Sequence, residues 1–243
     1  MPQIELLHID CMDYMRTLPD KAFDLAIVDP PYGIGEDGGK VKRRARVKSR
    51  ARVKSREYEK KGWDHSPMAA EYFSELRRVS ERQIVWGANH FISRLAIDSP
   101  AWIVWDKDNS GDFADCELAW TSFPTAVRKF KFRWNGMLQQ DMANKEQRIH
   151  PTQKPVALYR WLLKNYAKPG QRILDTHLGS GSIAIACDIE GFDLVGCEID
   201  ADYIKAARHR LAVHQSAPRL FPATPAGLPK QLEIGDDVLS DGT

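Results

Sequence analysis

The sequence predicts an α/β domain, a sheet covered by helices on both faces. Short apolar runs alternate with runs of helical period from residue 4 to residue 213. Several of the apolar runs also stop abruptly at an acid, a proline or a glycine, and ligands of such sheets bind beyond the carboxyl ends of the strands. In chain order, Ile4–Ile9 reads as a short strand and Met12–Leu18 as a short helix. Asp24–Val28 is a strand buried on both faces, apolar throughout after its opening acid. Pro67–Val79 reads as a helix with proline near its first turn, where a missing N–H is harmless. Gln83–Trp86, Trp102–Trp105 and Glu117–Trp120 follow as strands. Helix Pro155–Tyr166, strand Arg172–Asp175, helix Ser182–Glu190, strand Leu194–Glu198 and helix Ala201–Val213 complete the alternation.

With 243 residues, 43% apolar and 28% charged, the chain is neither fibrous nor broadly disordered. Its apolar runs fall far short of the roughly 20 residues that span a bilayer, so no membrane span is expected. The start, Met1-Pro-Gln-Ile-Glu-Leu-Leu-His8, lacks a basic, apolar and small-residue secretory pattern, and a cytoplasmic location follows as the expectation. Cys11, Cys116, Cys187 and Cys197 stand apart without a Cys-x-x-Cys pair, which suits reduced thiols and no metal site. One domain is expected over 1–214. The stretch 215–243, with Pro218, Pro222, Pro225 and Pro229, reads as a largely unstructured tail.

Charge is segregated. Residues 40–61 hold twelve Lys or Arg against Glu57 and Glu59, although the whole chain carries only +2. Within them Arg44-Ala-Arg-Val-Lys-Ser49 repeats as Arg50-Ala-Arg-Val-Lys-Ser55. So little to bury reads as a mobile insert. It is either a solvated duplication or an arm whose Arg44, Arg46, Arg50 and Arg52 track phosphates without reading sequence.

Three strand ends carry chemistry. After Asp24–Val28 comes Asp29-Pro30-Pro31-Tyr32, in which two prolines remove two backbone donors and leave carbonyl acceptors. A carboxylate and a fixed carbonyl beside an aromatic ring suit a planar group bearing an NH2, such as a flipped nucleobase. Drawing both N–H bonds to acceptors localises the nitrogen lone pair and readies it for attack. The second end runs from Asp175 through Gly179-Ser180-Gly181-Ser182 into a helix, with Glu198 ending the next strand. Gly179, Gly181 and Ala184 also satisfy a dinucleotide-binding pattern, with Glu198 for a ribose. An aspartate beside the turn repels a pyrophosphate, however, and attracts the ammonium and sulfonium of S-adenosylmethionine. The third end is His8-Ile-Asp-Cys-Met12, where Asp10 either caps the following helix or accepts an adenine amino group.

Together these segments resemble the β-class DNA amino-methyltransferases, site-specific enzymes of the Asp-Pro-Pro-Tyr type that use S-adenosylmethionine on the N6 of adenine or the N4 of cytosine. His8-Ile-Asp-Cys-Met-Asp13 looks like the family's adenine-contacting segment and Asp29–Tyr32 like its catalytic motif. His150-Pro-Thr-Gln-Lys-Pro155 matches the segment lying against the methionine end of the cofactor. Asp175–Ser182 is similar to the cofactor loop, and Gly196-Cys-Glu-Ile-Asp200 to the segment with the ribose-binding acid. The resemblance implies a Rossmann-like methyltransferase sheet with circularly permuted motif order and a small inserted target-recognition region near 123–147. It makes Asp29, Pro30, Pro31 and Tyr32 catalytic, and Asp10, Cys11, Thr152, Lys154, Asp175, His177, Gly179, Ser180, Gly181, Ser182 and Glu198 cofactor-binding. It also implies DNA as partner and a homodimer. Adenine is favoured because Asp29 opens the motif, where Ser is commoner in the cytosine enzymes. Thr176, His177 and Ser182 depart from the family's usual loop, and His177 reads as a neutral core histidine rather than a proton carrier.

Between the two halves, Thr125–Trp134 alternates Phe130, Phe132 and Trp134 with Lys129, Lys131 and Arg133. The basic face is either solvated or laid on phosphates and base edges. Other readings of the whole chain are methylation of cytosine N4, RNA or a protein amide, and a non-catalytic DNA-binding module.

Overall fold

The computed structural model describes residues 1–38, 58–109, 114–135 and 138–217. The tandem repeats with Arg44, Arg46, Arg50 and Arg52, and the tail after 217, lie outside the described residues. The elements are β1 (Ile4–His8), α1 (Cys11–Arg16), β2 (Phe23–Val28), α2 (Ala70–Val79), β3 (Ser80–Trp86) and a single 3-10 turn (Ala88–His90). They continue with α3 (Ile92–Leu95), β4 (Trp102–Asp106), β5 (Cys116–Thr121), β6 (Arg128–Lys131), β7 (Trp134–Asn135) and β8 (Leu138–Gln139). The last are α4 (Val156–Tyr166), β9 (Arg172–Asp175), α5 (Ser182–Glu190), β10 (Asp193–Glu198) and α6 (Ala201–Ser216).

Eight strands form one sheet in the order β1-β10-β9-β2-β3-β5-β4-β6, while β7 and β8 pair separately. The first five are parallel to one another. β5 runs antiparallel to both neighbours, and β6 joins β4 in parallel. Side chains alternate across the sheet as the pleat requires. Leu25, Ile27, Ile84, Trp86 and Ile173 pack with Leu158, Leu162 and Ile183 under α4, α5 and α6. Ala26, Val28, Val85 and Leu174 pack on the opposite face with Met15, Phe73 and Leu76 under α1 and α2. The predicted two-sided sheet is therefore the observed one.

Chain direction places the crevice. From β2 the chain passes through α2 to β3 on one side, and from β9 through α5 to β10 on the other. The strand order reverses between β2 and β9, which pair through Leu25 with Ile173 and Ala26 with Leu174. A crevice opens beyond such a reversal, at the carboxyl ends, and there Asp29 and Asp175 emerge. Because β5 runs the other way, its first residues lie at this same end, with Glu117 opposite Trp105 of β4.

The predicted two-faced strand 125–134 is shorter than expected. β6 ends at Lys131 because its partner β4 ends at Asp106. The aromatic face persists: the Phe130 and Phe132 rings stack 5.7 Å apart, and Trp134 is buried in the same core. No helix among the described residues is long and apolar enough to cross a membrane.

Candidate active site

The turn after β2 is built to hold a carboxylate and a ring in fixed relation. The Tyr32 hydroxyl donates to Asp29 Oδ1 at 2.6 Å. The ring lies against Gly87, which ends β3 with φ +68, a left-handed conformation natural to glycine. His90 stacks on it with centroids 5.2 Å apart and planes 15° from parallel. Beyond the tyrosine, buried Asp64 accepts the backbone amides of Gly33 at 2.6 Å, Glu36 at 2.8 Å and Ile34 at 3.3 Å. One carboxylate thus satisfies three amides of the exit loop and fixes where Tyr32 points.

Lys154, expected beside the methionine end of a cofactor, reaches the Asp29–Tyr32 turn. Its Nζ lies 2.5 Å from Asp29 Oδ2 and 3.2 Å from the Tyr32 hydroxyl. The side chain is only 2% exposed, and its charge is balanced a second time by Glu117 Oε2 at 3.1 Å. Lys107 in turn pairs with Oε1 of Glu117. Two acids and two lysines therefore alternate along the ends of β2, β4 and β5. Burial pushes the Asp29 carboxyl up against the pull of Lys154. Burial opposes ionisation of Glu117 too, but Lys154 and Lys107 outweigh it and hold that carboxyl at about 2.

Around the glycine-rich turn the structure gathers a second set. Burial raises Asp175 to about 8, its carboxylate accepting one amide, from His177, at 3.0 Å. Glu198 accepts the amides of Gly179 at 2.8 Å and Asp200 at 2.9 Å, so it ties the turn to the start of α6. Gly179 has φ +51 and Gly181 φ +70, and a Cβ on Gly181 would meet Ala207 of α6 at 3.0 Å. His150 sits over this turn, edge-on to Tyr203 at 4.3 Å and near Trp63 at 5.3 Å. Burial lowers it to about 3, so it is neutral. Thr152 supports it, Oγ1 standing 3.1 Å from His150 Nδ1.

Several expected residues serve the scaffold. Asp10 caps α1, accepting the amides of Met12 at 2.7 Å and Asp13 at 3.3 Å, and Cys11 is buried behind it. Ser180 and Ser182 face α6, where Arg210 donates to the Ser180 carbonyl at 3.1 Å and to Ser182 Oγ at 2.8 Å. His177, lowered to about 4 by burial, joins Thr176 at 2.9 Å and through it the Tyr72 hydroxyl. So placed, the ring is neutral at pH 7. On the basic face, Lys129 pairs with Asp106, and Lys131 and Arg133 both pair with Asp108, although all three stay at least half exposed. Glu117, Lys107, Asp64, Gly87 and His90 were not singled out by sequence. The one available signal was a glycine following the apolar run 83–86; the acids and lysines at the start of β5 and end of β4 gave none.

Residues 98–209 match the DNA methylase family of N6 and N4 methyltransferases. The chain is 24% identical over 252 aligned positions to type II methyltransferase M2.DpnII of Streptococcus pneumoniae, with 85% of this chain and 88% of that protein covered. Among solved structures it is similar to M1.HpyAVI in complex with SAM, with a TM-score of 0.53 and 21% identity over 86% of this chain and 100% of the other. It is also similar to the cytosine-N4-specific PvuII DNA methyltransferase, with a TM-score of 0.56 and 10% identity over 92% and 89% of the two chains. These structural likenesses agree in the Rossmann-like α/β sheet.

Proposed function

We infer that this chain, which carries the DNA methylase domain of the N6/N4 family over residues 98–209, is an S-adenosylmethionine-dependent DNA methyltransferase that acts on the N6 amine of adenine. The observation that carries the reading is the Asp29–Tyr32 turn, held rigid at the strand reversal and facing the crevice shared with Asp175.

The residues around the glycine-rich turn fit the cofactor. Asp175 is a buried acid whose ionisation is suppressed, and a cation laid against it would restore that ionisation. Glycines at 179 and 181 let the backbone approach closely, and Glu198 stands where a ribose hydroxyl would be met. When bound, S-adenosylmethionine supplies a methyl group on a positively charged sulfur.

The chain's own part is to prepare the nitrogen. Asp29 and the Pro30 carbonyl accept the two N–H bonds of the amine, so the lone pair is withdrawn from the ring and directed outward. Tyr32 would stack on the base extruded from the duplex once His90, which covers its ring here, moves aside. On taking up the methyl group the nitrogen would shed one proton, which Asp29 is placed to receive. Most of the gain is geometric, since the reacting groups are held rather than met by diffusion. Positive charge on Lys129, Lys131, Arg133 and the repeats at Arg44, Arg46, Arg50 and Arg52 would hold phosphates. An enzyme of chromosomal DNA would work in the cytoplasm, and a homodimer would double its phosphate contacts.

The deciding experiment incubates purified protein with unmethylated DNA and cofactor, digests the product to nucleosides and identifies them by mass spectrometry. N6-methyladenine is the expected product. N4-methylcytosine would keep the mechanism and replace the base, and unmodified DNA from cofactor-binding protein would refute the reading. Light scattering tests the dimer.

A further inference from the structure

Both oxygens of the catalytic carboxylate are already taken. Tyr32 donates to Oδ1 of Asp29 and Lys154 to Oδ2. An incoming amine can use a second lone pair on either oxygen, but on Oδ2 it shares the acceptor with a full positive charge, which weakens the pull on its N–H, so the acceptor is strongest when that occupant moves off. The tyrosine is not free to go: its ring is pressed between the Gly87 backbone and the stacked His90. Lys154 hangs on four flexible carbons, but it is buried and cannot withdraw to water without abandoning a counter-charge. Its alternative partner must therefore lie within reach.

One does. Glu117 Oε2 is buried, accepts no hydrogen bond among the described residues, and stands 3.1 Å from Lys154 Nζ, close enough for an ion pair yet outside hydrogen-bond geometry. The other oxygen of that carboxylate is engaged by Lys107, so Glu117 is charged and anchored while Oε2 holds the looser ion pair to Lys154. Two aromatic faces line the way, with Lys154 Nζ 5.4 Å from the Trp86 ring centre and 5.6 Å from that of Tyr32.

Resting on the function inferred above, we propose that Lys154, shared between Asp29 and Glu117, rests on Oδ2 of Asp29 until a base arrives and then shifts onto Oε2 of Glu117, which makes Glu117 a positioning residue for base capture. Without the second acid, the base would have to expel a buried ammonium from its only partner. With it, the ammonium changes partners and the total charge of the cluster is conserved. The groups facing Asp29 throughout are Lys154, Tyr32, Glu117, Asp175 and Tyr159.

The test is a two-by-two set of chains: wild type, Glu117→Gln, Lys154→Gln and the double variant. Methyl transfer is followed from radiolabelled S-adenosylmethionine to unmethylated phage DNA, cofactor affinity by calorimetry, and DNA affinity by fluorescence anisotropy with S-adenosylhomocysteine present. Glu117→Gln is expected to lower kcat/KM for DNA and DNA affinity by about tenfold or more, with cofactor Kd changed less than about threefold. In the Lys154→Gln background the same change should move both by less than about threefold, because nothing is left to relocate. An equal effect of Glu117→Gln in both backgrounds would overturn the proposal, as would complete loss of transfer or of cofactor binding in Lys154→Gln alone. If Glu117→Gln does not fold, Glu117→Asp keeps the charge and withdraws the acceptor; wild-type DNA kinetics in that variant would overturn it. Wild-type protein that methylates no DNA refutes the functional reading itself and this proposal with it.

Discussion

Gly87 and Tyr32 share one space: a Cβ added to Gly87 would stand 2.0 Å from Cε1 of the Tyr32 ring. The end of β3 thus shapes the end of β2, although the two residues are 55 positions apart in sequence. Gly87→Ala must displace the ring and strain a backbone at φ +68 as well. The expected cost is about 2–4 kcal/mol in stability, with methyl transfer reduced at least about tenfold and cofactor binding retained. Thermal unfolding and transfer kinetics on one preparation check both. Unchanged kinetics would mean that the position of Tyr32 is immaterial to the chemistry.

Asp29→Ala removes the acceptor but leaves Lys154 paired with Glu117, so the fold should survive. Turnover is expected to fall by about a thousandfold, the upper range for loss of one preorganised polar partner. Calorimetric cofactor affinity should stay within several-fold of wild type. Turnover equal to wild type would remove Asp29 from the reaction.

Asp175 makes a pH prediction. Burial raises its carboxyl from 3.8 to about 8 in the folded chain. Between those values the folded state keeps a proton that the unfolded state has released, so stability from this group declines as pH rises from about 4 through 8. The slope is at most about 1.4 kcal/mol per pH unit for one proton. Asp175→Asn should flatten it and gain on the parent toward pH 8 in urea titrations. Cofactor binding to wild type near pH 7 should release a proton, read from calorimetry in buffers of different ionisation enthalpy, and the variant should release none. Parallel pH profiles would assign the dependence to another group.

Arg210 joins three regions. It bonds Glu146 Oε2 at 2.5 Å and reaches Ser180 and Ser182, while Glu146 Oε1 accepts the first amide of α4, Val156 N, at 2.9 Å. Arg210→Met leaves the Glu146 charge without its partner and should cost about 3 kcal/mol in urea unfolding. Adding Glu146→Gln to that chain should restore part of the loss, since a neutral amide still accepts from Val156. A larger loss in the double variant would show that the pair does not act as a unit.

The sequence announced the sheet because its strands are continuous apolar runs, and it announced the acids because each follows such a run directly. Asp29, Asp175 and Glu198 all stand where strand order predicts a crevice. Glu117 could not be recognised this way. It opens a strand instead of closing one, and only the antiparallel direction of β5, set by pairing with β3 and β4, brings it to the same end. Lys154 was legible as part of a motif, yet its partner lies 125 residues away, and no local pattern tells a lysine which acid it will meet. The basic face of β6 was legible as charge, whereas its neutralisation by Asp106 and Asp108 depended on pairing with β4.

Gly38 and Glu59 touch: a Cβ on the glycine would lie 2.5 Å from the Glu59 carbonyl oxygen, and Gly62 N bonds the Asp37 carboxylate at 2.5 Å. The described residues on either side of 39–57 are therefore tied to each other. Removing Arg50–Ser55 should change stability by only a few tenths of a kcal/mol, the loop-closure difference. It takes away three cations, so the slope of log affinity against log salt for DNA should shallow by up to about 3. On the function inferred above, each repeat unit would set the grip on DNA by a step of three charges and leave the reacting groups untouched.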